Sequence, residues 1–246
     1  MKDNFSKQSA EYACYRPQYP QALFDCIFEK VAEKNLAWDC GTGNGQTAFI
    51  LSRYFNNVYA SDISSKQLAN AQGAPNIRYE TAAAECASLE DNSVDLVTVS
   101  QALHWFDFEK FYAEVRRVGK KNSVIAAWTY SLLRISPEID ALIKAFHDHT
   151  LEHYWDTERH YVNNGYSNLP FPFQQISDPG FNINVNWDKN QLFGYIATWS
   201  AWQKFLQNNS SDPLQVLMNE VDKLWPGSES RKMQFPLFLK MGFIHQ

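Results

Sequence analysis

Cysteine is scarce in this chain: Cys14, Cys26, Cys40 and Cys86 stand 12, 14 and 46 positions apart. No C-x-x-C pair occurs, which excludes the common zinc and dithiol motifs and leaves reduced, mostly buried thiols as the expectation. No apolar run reaches the roughly 18 residues that a membrane helix needs. The opening stretch, MKDNFSKQSAEYACYRPQYP, has no apolar signal core either. These two absences predict a cytoplasmic protein without a membrane partner. A basic excess is also missing: 22 Lys and Arg face 27 Asp and Glu, a net charge of −5. Phosphate contacts usually leave a basic footprint, so no nucleic-acid partner is expected. Fixed-period repeats and Gly/Ser linkers are lacking too. The 246 residues, 45% of them apolar and 15% aromatic, therefore read as one domain with ample material for a core.

What is present is an alternation of periods. Residues 21–34 carry Leu23, Ile27, Phe28 and Val31 near helical spacing. Short apolar strands are predicted at 36–40, 57–61, 77–81, 95–100 and 123–128, with helices at 46–55, 64–71 and 108–118 between them. Such βα alternation builds a parallel sheet wound on both faces, an α/β Rossmann-like fold. Beyond residue 130 the regularity loosens. Helices are predicted at 137–153, 191–206 and 213–225, an edge strand at 182–187 and a last strand at 235–244, with an aromatic, Pro-punctuated stretch without clear period over 154–179.

The sharpest motif is WDCGTGNGQ at 38–46. A dinucleotide turn needs G-x-G-x-x-G, but the position of the third glycine holds Gln46, so an NAD-dependent oxidoreductase is disfavoured. Asp39 stands two residues before Gly41, where it would repel a pyrophosphate. The turn therefore expects a cationic or neutral group. A second acid, Asp62, ends the next strand 23 residues further on. There a carboxylate can accept from both hydroxyls of a ribose. Ribose joined to a cationic, phosphate-free tail describes S-adenosylmethionine (SAM).

WDCGTGNGQ, ASDISSKQL, AAAECASLEDNSVDLVTVSQALHWFD and YACYRPQYP together resemble successive motifs of the class I SAM-dependent methyltransferases, over roughly residues 5–128. The branch is the small-molecule one, similar to trans-aconitate and ubiquinone-pathway methyltransferases. The resemblance implies a seven-stranded sheet of order 3-2-1-4-5-7-6 with strand 7 antiparallel, an N-terminal lid and an insertion after strand 5. It divides the chain into a lid and helix (1–34), a SAM-binding core (35–130), an acceptor cap (131–180) and C-terminal strands and helices (181–246). It places Asp39, Gly41 and Gly43 beside the methionine part of the cofactor, Asp62 on the ribose, Ile63 on the adenine face and Ala84 and Glu85 at the adenine edge. Gln101 and Ala102 would lie beneath the cofactor, and Arg16, in the lid, would pair with a carboxylate of cofactor or substrate. Where many relatives carry an acid or hydroxyl before the Ala-Glu pair, this chain has Ala83; Glu85 or a water then serves the adenine amino group.

A small acceptor would approach from the carboxyl ends of strands 4 and 5. Its pocket is expected to draw on Tyr15, Tyr19, His104, Trp105, Trp128, Tyr130 and Trp199, although core packing is the competing role for each tryptophan. His104 is the candidate catalytic group: it takes a proton from a hydroxyl acceptor, donates to a carboxylate, or only shapes its loop. The reaction expected is methyl transfer to a carboxylate or hydroxyl oxygen, leaving S-adenosylhomocysteine. The alternatives are a SAM-binding regulator without turnover, or methylation of protein or nucleic acid. The loop SQALHW lacks both the N/D-P-P-Y/F signature of amino-group methylation in nucleic acids and a nucleophilic cysteine. His149 and His153 share a helical spacing, with His147 nearby, but lack a third ligand, so no metal is expected. Monomer and homodimer remain equally open.

Overall fold

The computed structural model describes residues 15–245. A helix α1 (Gln21–Phe28) precedes β1 (Leu36–Cys40), α2 (Gln46–Leu51), β2 (Asn57–Asp62), α3 (Ser65–Leu68) and β3 (Ile77–Thr81). Then follow β4 (Val94–Ser100), α4 (Phe108–Val118), β5 (Gly119–Tyr130), α5 (Pro137–Ala145), α6 (Arg159–Asn163), β6 (Gln174–Ile176) and β7 (Phe181–Trp187). The chain ends in α7 (Lys189–Ala197), α8 (Ser200–Asn208), α9 (Pro213–Leu224) and β8 (Arg231–Phe243).

The sheet runs β3-β2-β1-β4-β5-β8-β6, with β7 also paired to β8. β1 to β5 are parallel, and β8 enters antiparallel between β5 and the β6/β7 edge. This is the expected order with one strand split. β6 pairs with the end of β8 at Gln174↔Phe243, and β7 pairs with its start, from Phe181↔Leu237 to Trp187↔Arg231. Residues 177–180, with Gly180 at φ 83°, interrupt the outer strand. Three residues are too few to show a period, which is why β6 lay hidden in the stretch 154–179.

Alternation along the strands builds two cores. Ala37, Leu96, Val124, Ala126 and Trp128 face the layer containing Leu23, Phe24 and Ile27. Trp38, Val97, Ile125 and Ala127 face Phe111 and Val115 of α4. Neighbours in sequence thus bury on opposite faces, the period of two that a doubly covered sheet demands.

Two predicted helices are broken. The residues expected as one helix over 137–153 form α5, a π turn (Phe146–Thr150) and a short 3-10 turn (Glu152–Tyr154). His149 and His153 are therefore not on successive turns of one α-helix, and both are exposed. The helix expected over 191–206 divides at Thr198–Trp199, where Trp199 adopts φ −66° and ψ 132°. α1 stops at Phe28, while Val31 still buries beyond it. Among the described residues no helix is long and apolar enough to cross a membrane. Cys40 is buried, Cys26 half-buried and Cys86 exposed.

Candidate active site

The turn after β1 is shaped by its glycines. Gly41, Gly43 and Gly45 all take positive φ, 68°, 58° and 78°. A Cβ at Gly41 would lie 2.6 Å from Cβ of Ala102, so the two loops touch only because that atom is missing. A Cβ at Gly43 would meet nothing within 4 Å: its backbone lies against open space. The Gly41 and Thr42 amides donate to the Ser61 carbonyl at 2.8 and 3.0 Å, tying the turn to the end of β2.

Asp62, at that end, accepts from the Gly43 amide through Oδ2 and from the Ser64 amide through Oδ1, both at 2.9 Å. One carboxylate thereby fixes the turn and the loop that follows β2. Asp39 lies underneath, fully buried, and accepts from the hydroxyls of Thr42 (2.5 Å) and Thr98 (2.8 Å). Burial pushes its carboxyl up to about 6, with the Thr42 and Thr98 bonds and the Ala48 amide pulling the other way.

A cavity of about 920 Å³, open to solvent, lies over this turn. Gly41, Gly43, Asp62, Ile63, Gln101 and Ala102 line it, joined from the N-terminal segment by Arg16 and Tyr19. Trp105 and Tyr130 line it too. The charged side chains on its wall are Asp62 and Arg16. An acid to receive hydroxyls, an arginine to receive a carboxylate and glycine backbone for close approach fit SAM. They do not fit a pyrophosphate.

A second cavity, of about 590 Å³, adjoins the first and shares Arg16, Gln101, Trp105 and Tyr130 with it. Its other walls include His104, Trp155, Asp156, Arg159, Tyr195 and Trp199. Arg16 donates to the Tyr130 hydroxyl at 2.9 Å and stands 5.4 Å from the Tyr195 ring centre. Arg159 stacks 4.6 Å over Trp155 and donates through Nε to Asn163 at 3.2 Å. Burial disfavours its cation; the Tyr195 phenol favours it, and the Arg16 charge opposes it. Asp156 pairs with Lys204 at 2.6 Å. His104 is buried and bonded through Nδ1 to the Tyr166 hydroxyl at 2.9 Å. Burial, and then the Arg159 charge, push its imidazole down to about 3 against the opposing pull of Asp156, so it is neutral near pH 7.

Several expected residues stand elsewhere. Trp128 is wholly buried, edge-on to Tyr19 and Phe24 at 5.4 and 5.9 Å, and so supports the wall from behind instead of forming it. Tyr15 packs its ring on Gly194 of α7, away from both cavities. Ala84 is buried beside α4, and Glu85 accepts from the Asp107 amide at 3.0 Å. The part of the expected lid before Tyr15 lies outside the described residues. Among the described residues no group of three or more His, Cys, Asp or Glu could hold a metal.

Sequence reasoning missed Arg159, Tyr195, Trp155, Asp156 and Tyr166. All but Tyr195 come from the aperiodic stretch 154–179, where a lone arginine or tyrosine carries no pattern. Tyr195 lay in a segment legible only as helix.

The sheet order and the glycine turn backed by two acids define the class I nucleoside-binding methyltransferase architecture. Residues 38–127 match the family model described as a methyltransferase domain. The chain is 30% identical over 245 positions to a Dictyostelium discoideum protein assigned as a methyltransferase, covering 96% of this chain and 93% of that one. It is 25% identical over 264 positions to a Saccharomyces cerevisiae protein assigned as a SAM-dependent methyltransferase, covering 90% and 89% of the two. A solved structure from Anaeromyxobacter dehalogenans, assigned as a type II methyltransferase, superposes with a TM-score of 0.87 at 35% identity, covering 94% and 99%. The chain belongs to the class I SAM-dependent methyltransferases, and its cofactor is SAM.

Proposed function

We propose that this enzyme methylates an oxygen, carboxylate or hydroxyl, of a small acidic molecule held in the second cavity. The observation that carries the reading is the shared wall: Arg16, Gln101, Trp105 and Tyr130 border both cavities, so groups bound in the two would meet there. SAM supplies an activated methyl group on a sulfonium. The chain's own part is to hold the acceptor oxygen in line with it and to exclude water, a positioning task worth on the order of 7–11 kcal/mol in well-oriented systems.

Arg16 and Arg159 supply the charge preference. Their guanidiniums face one partly desolvated cavity and repel each other, and a bound carboxylate would relieve that repulsion while accepting bidentate bonds. Aromatic walls at Trp105, Trp155 and Trp199 suit a flat or apolar body between the polar ends. On this reading residues 15–20 form part of a lid, Gly41, Gly43, Asp62 and Ile63 serve the cofactor, Asp39 supports their turn from beneath instead of meeting the cofactor as expected, and the stretch after β5 caps the acceptor.

The test is mass-spectrometric detection of methyl transfer from SAM to a panel of small carboxylic and hydroxylated acids, with neutral analogues beside them. Turnover of acids but not of their amides, lost in Arg159→Met, is the expected result. Turnover confined to neutral molecules, proteins or nucleic acid would overturn the reading.

A further inference from the structure

Four side chains, Arg16, Gln101, Trp105 and Tyr130, stand where the two cavities meet. Arg16 carries a guanidinium and Trp105 an indole N–H, groups that only donate hydrogen bonds. Tyr130 is buried, and its phenol oxygen accepts from Nη1 of Arg16 at 2.9 Å. Among the described residues nothing accepts the proton of that phenol. Gln101 has both an acceptor and donors, but Thr129 donates its hydroxyl proton to the Gln101 Oε1 at 2.7 Å, so the amide nitrogen is what remains for a ligand. This orientation is held in uncommon backbone. Gln101 keeps φ 57°, a left-handed conformation that a bulky non-glycine residue adopts only where its surroundings fix it, here through the Thr129 bond and the bond of its own amide to the Trp128 carbonyl at 2.9 Å.

The side chains common to both cavities therefore offer protons to a ligand, and their acceptor atoms are already engaged. An oxygen that meets them must bring lone pairs. A carboxylate brings only these. A hydroxyl brings a proton as well, which needs an acceptor while the molecule is bound and must leave on methylation. His104 and Asp156 could take such a proton, but neither borders the cofactor cavity.

We propose that Tyr130 is a catalytic residue that donates its phenol hydrogen bond to the methyl-accepting oxygen, and that this oxygen belongs to a carboxylate. The inference rests on reading the second cavity as the acceptor site and narrows it to methyl ester formation. Arg16, by donating to the phenol oxygen, polarises the phenol and strengthens the bond that Tyr130 gives in turn. The carboxylate is oriented through that bond with a lone pair left for the methyl carbon. The oxygen–carbon bond forms as the carbon–sulfur bond breaks, whose electron pair stays on sulfur. The products are a methyl ester and S-adenosylhomocysteine. No proton is released, and no base is needed.

The experiment offers the full chain SAM together with hydroxybenzoates and aliphatic hydroxy acids, in which carboxylate and hydroxyl compete within one molecule. Products are weighed by mass spectrometry before and after mild alkali. The expected product loses its methyl group to alkali, as an ester does. Tyr130→Phe should lower kcat/KM for such an acid about tenfold or more, the effect of one hydrogen bond to a charged group, and should bind S-adenosylhomocysteine as wild type does. Calorimetric titration of the same acid into the protein saturated with S-adenosylhomocysteine should show a comparable loss of affinity in the variant, without turnover. The alkali result is read on the wild type, so it decides even where the variant fails to fold. An alkali-stable ether, or a Tyr130→Phe chain that matches wild type in both measurements, refutes the proposal. An ether that Arg159→Met abolishes leaves the acid reading of the second cavity standing, whereas turnover of no acid at all refutes both.

Discussion

At the scale of the residue, Asp39 sets burial against charge. It lies beneath the glycine turn with no exposed surface, and its carboxyl is raised from 3.8 to about 6. Between these two values the folded chain holds a proton that the unfolded chain has released. Asp39 therefore supports the fold at low pH and loses that support as pH rises through about 6. The displacement corresponds to roughly 3 kcal/mol. Asp39→Asn removes the titration, so denaturant unfolding should show the variant gaining stability relative to wild type between about pH 4 and pH 6 and levelling off above. A difference independent of pH would mean that Asp39 is ionised at no cost. Both acids were legible because each stands at a strand end beside a turn. What their spacing did not reveal is a division of labour: Asp62 lines the cavity, whereas Asp39 is consumed by Thr42 and Thr98.

At the scale of the element, α7 and α8 show what periodicity conceals. The apolar residues of YIATWSAWQKF keep helical spacing across a break, because the bend at Thr198–Trp199 directs both helices' apolar faces to one core. Side-chain pattern reports which way residues face, not whether backbone hydrogen bonds continue. The start of α7, expected at 191, lies at Lys189 behind a cap. Asp188 caps the Gln191 amide at 2.8 Å, and Gln191 returns to the Asp188 amide at 3.1 Å, a reciprocal capping box. α7 carries Tyr195 to the second cavity. Asp188→Ala should cost about 1 kcal/mol in denaturant unfolding. No loss of stability would show that tertiary packing alone holds this helix end. The strands of the cofactor half were read almost in place, since βα alternation with short turns leaves little freedom. The second cavity was not, since many of its residues are drawn from a 3-10 turn, the irregular segment after Tyr154 and a helix of five residues.

At the scale of the whole molecule, the sheet order places two cavities at the carboxyl ends of the parallel strands, divided by residues that serve both. One was foreseeable from a nine-residue motif and a second-strand acid. The other is assembled from the N-terminal segment, the loop after β4, β5, the aperiodic stretch and the α7–α8 region, contributions that meet only in three dimensions. The central claim is that the first cavity holds the cofactor and the second, independently, the acceptor. The direct measurement is calorimetric titration of S-adenosylhomocysteine into wild type, Asp62→Ala and Arg159→Met. The account predicts one site per chain, weakened about tenfold or more in Asp62→Ala through loss of charge-assisted hydrogen bonds. Arg159→Met should bind as wild type does while losing transfer to acids. Equal weakening in both variants, or none in Asp62→Ala, would contradict the division of the site into these two parts.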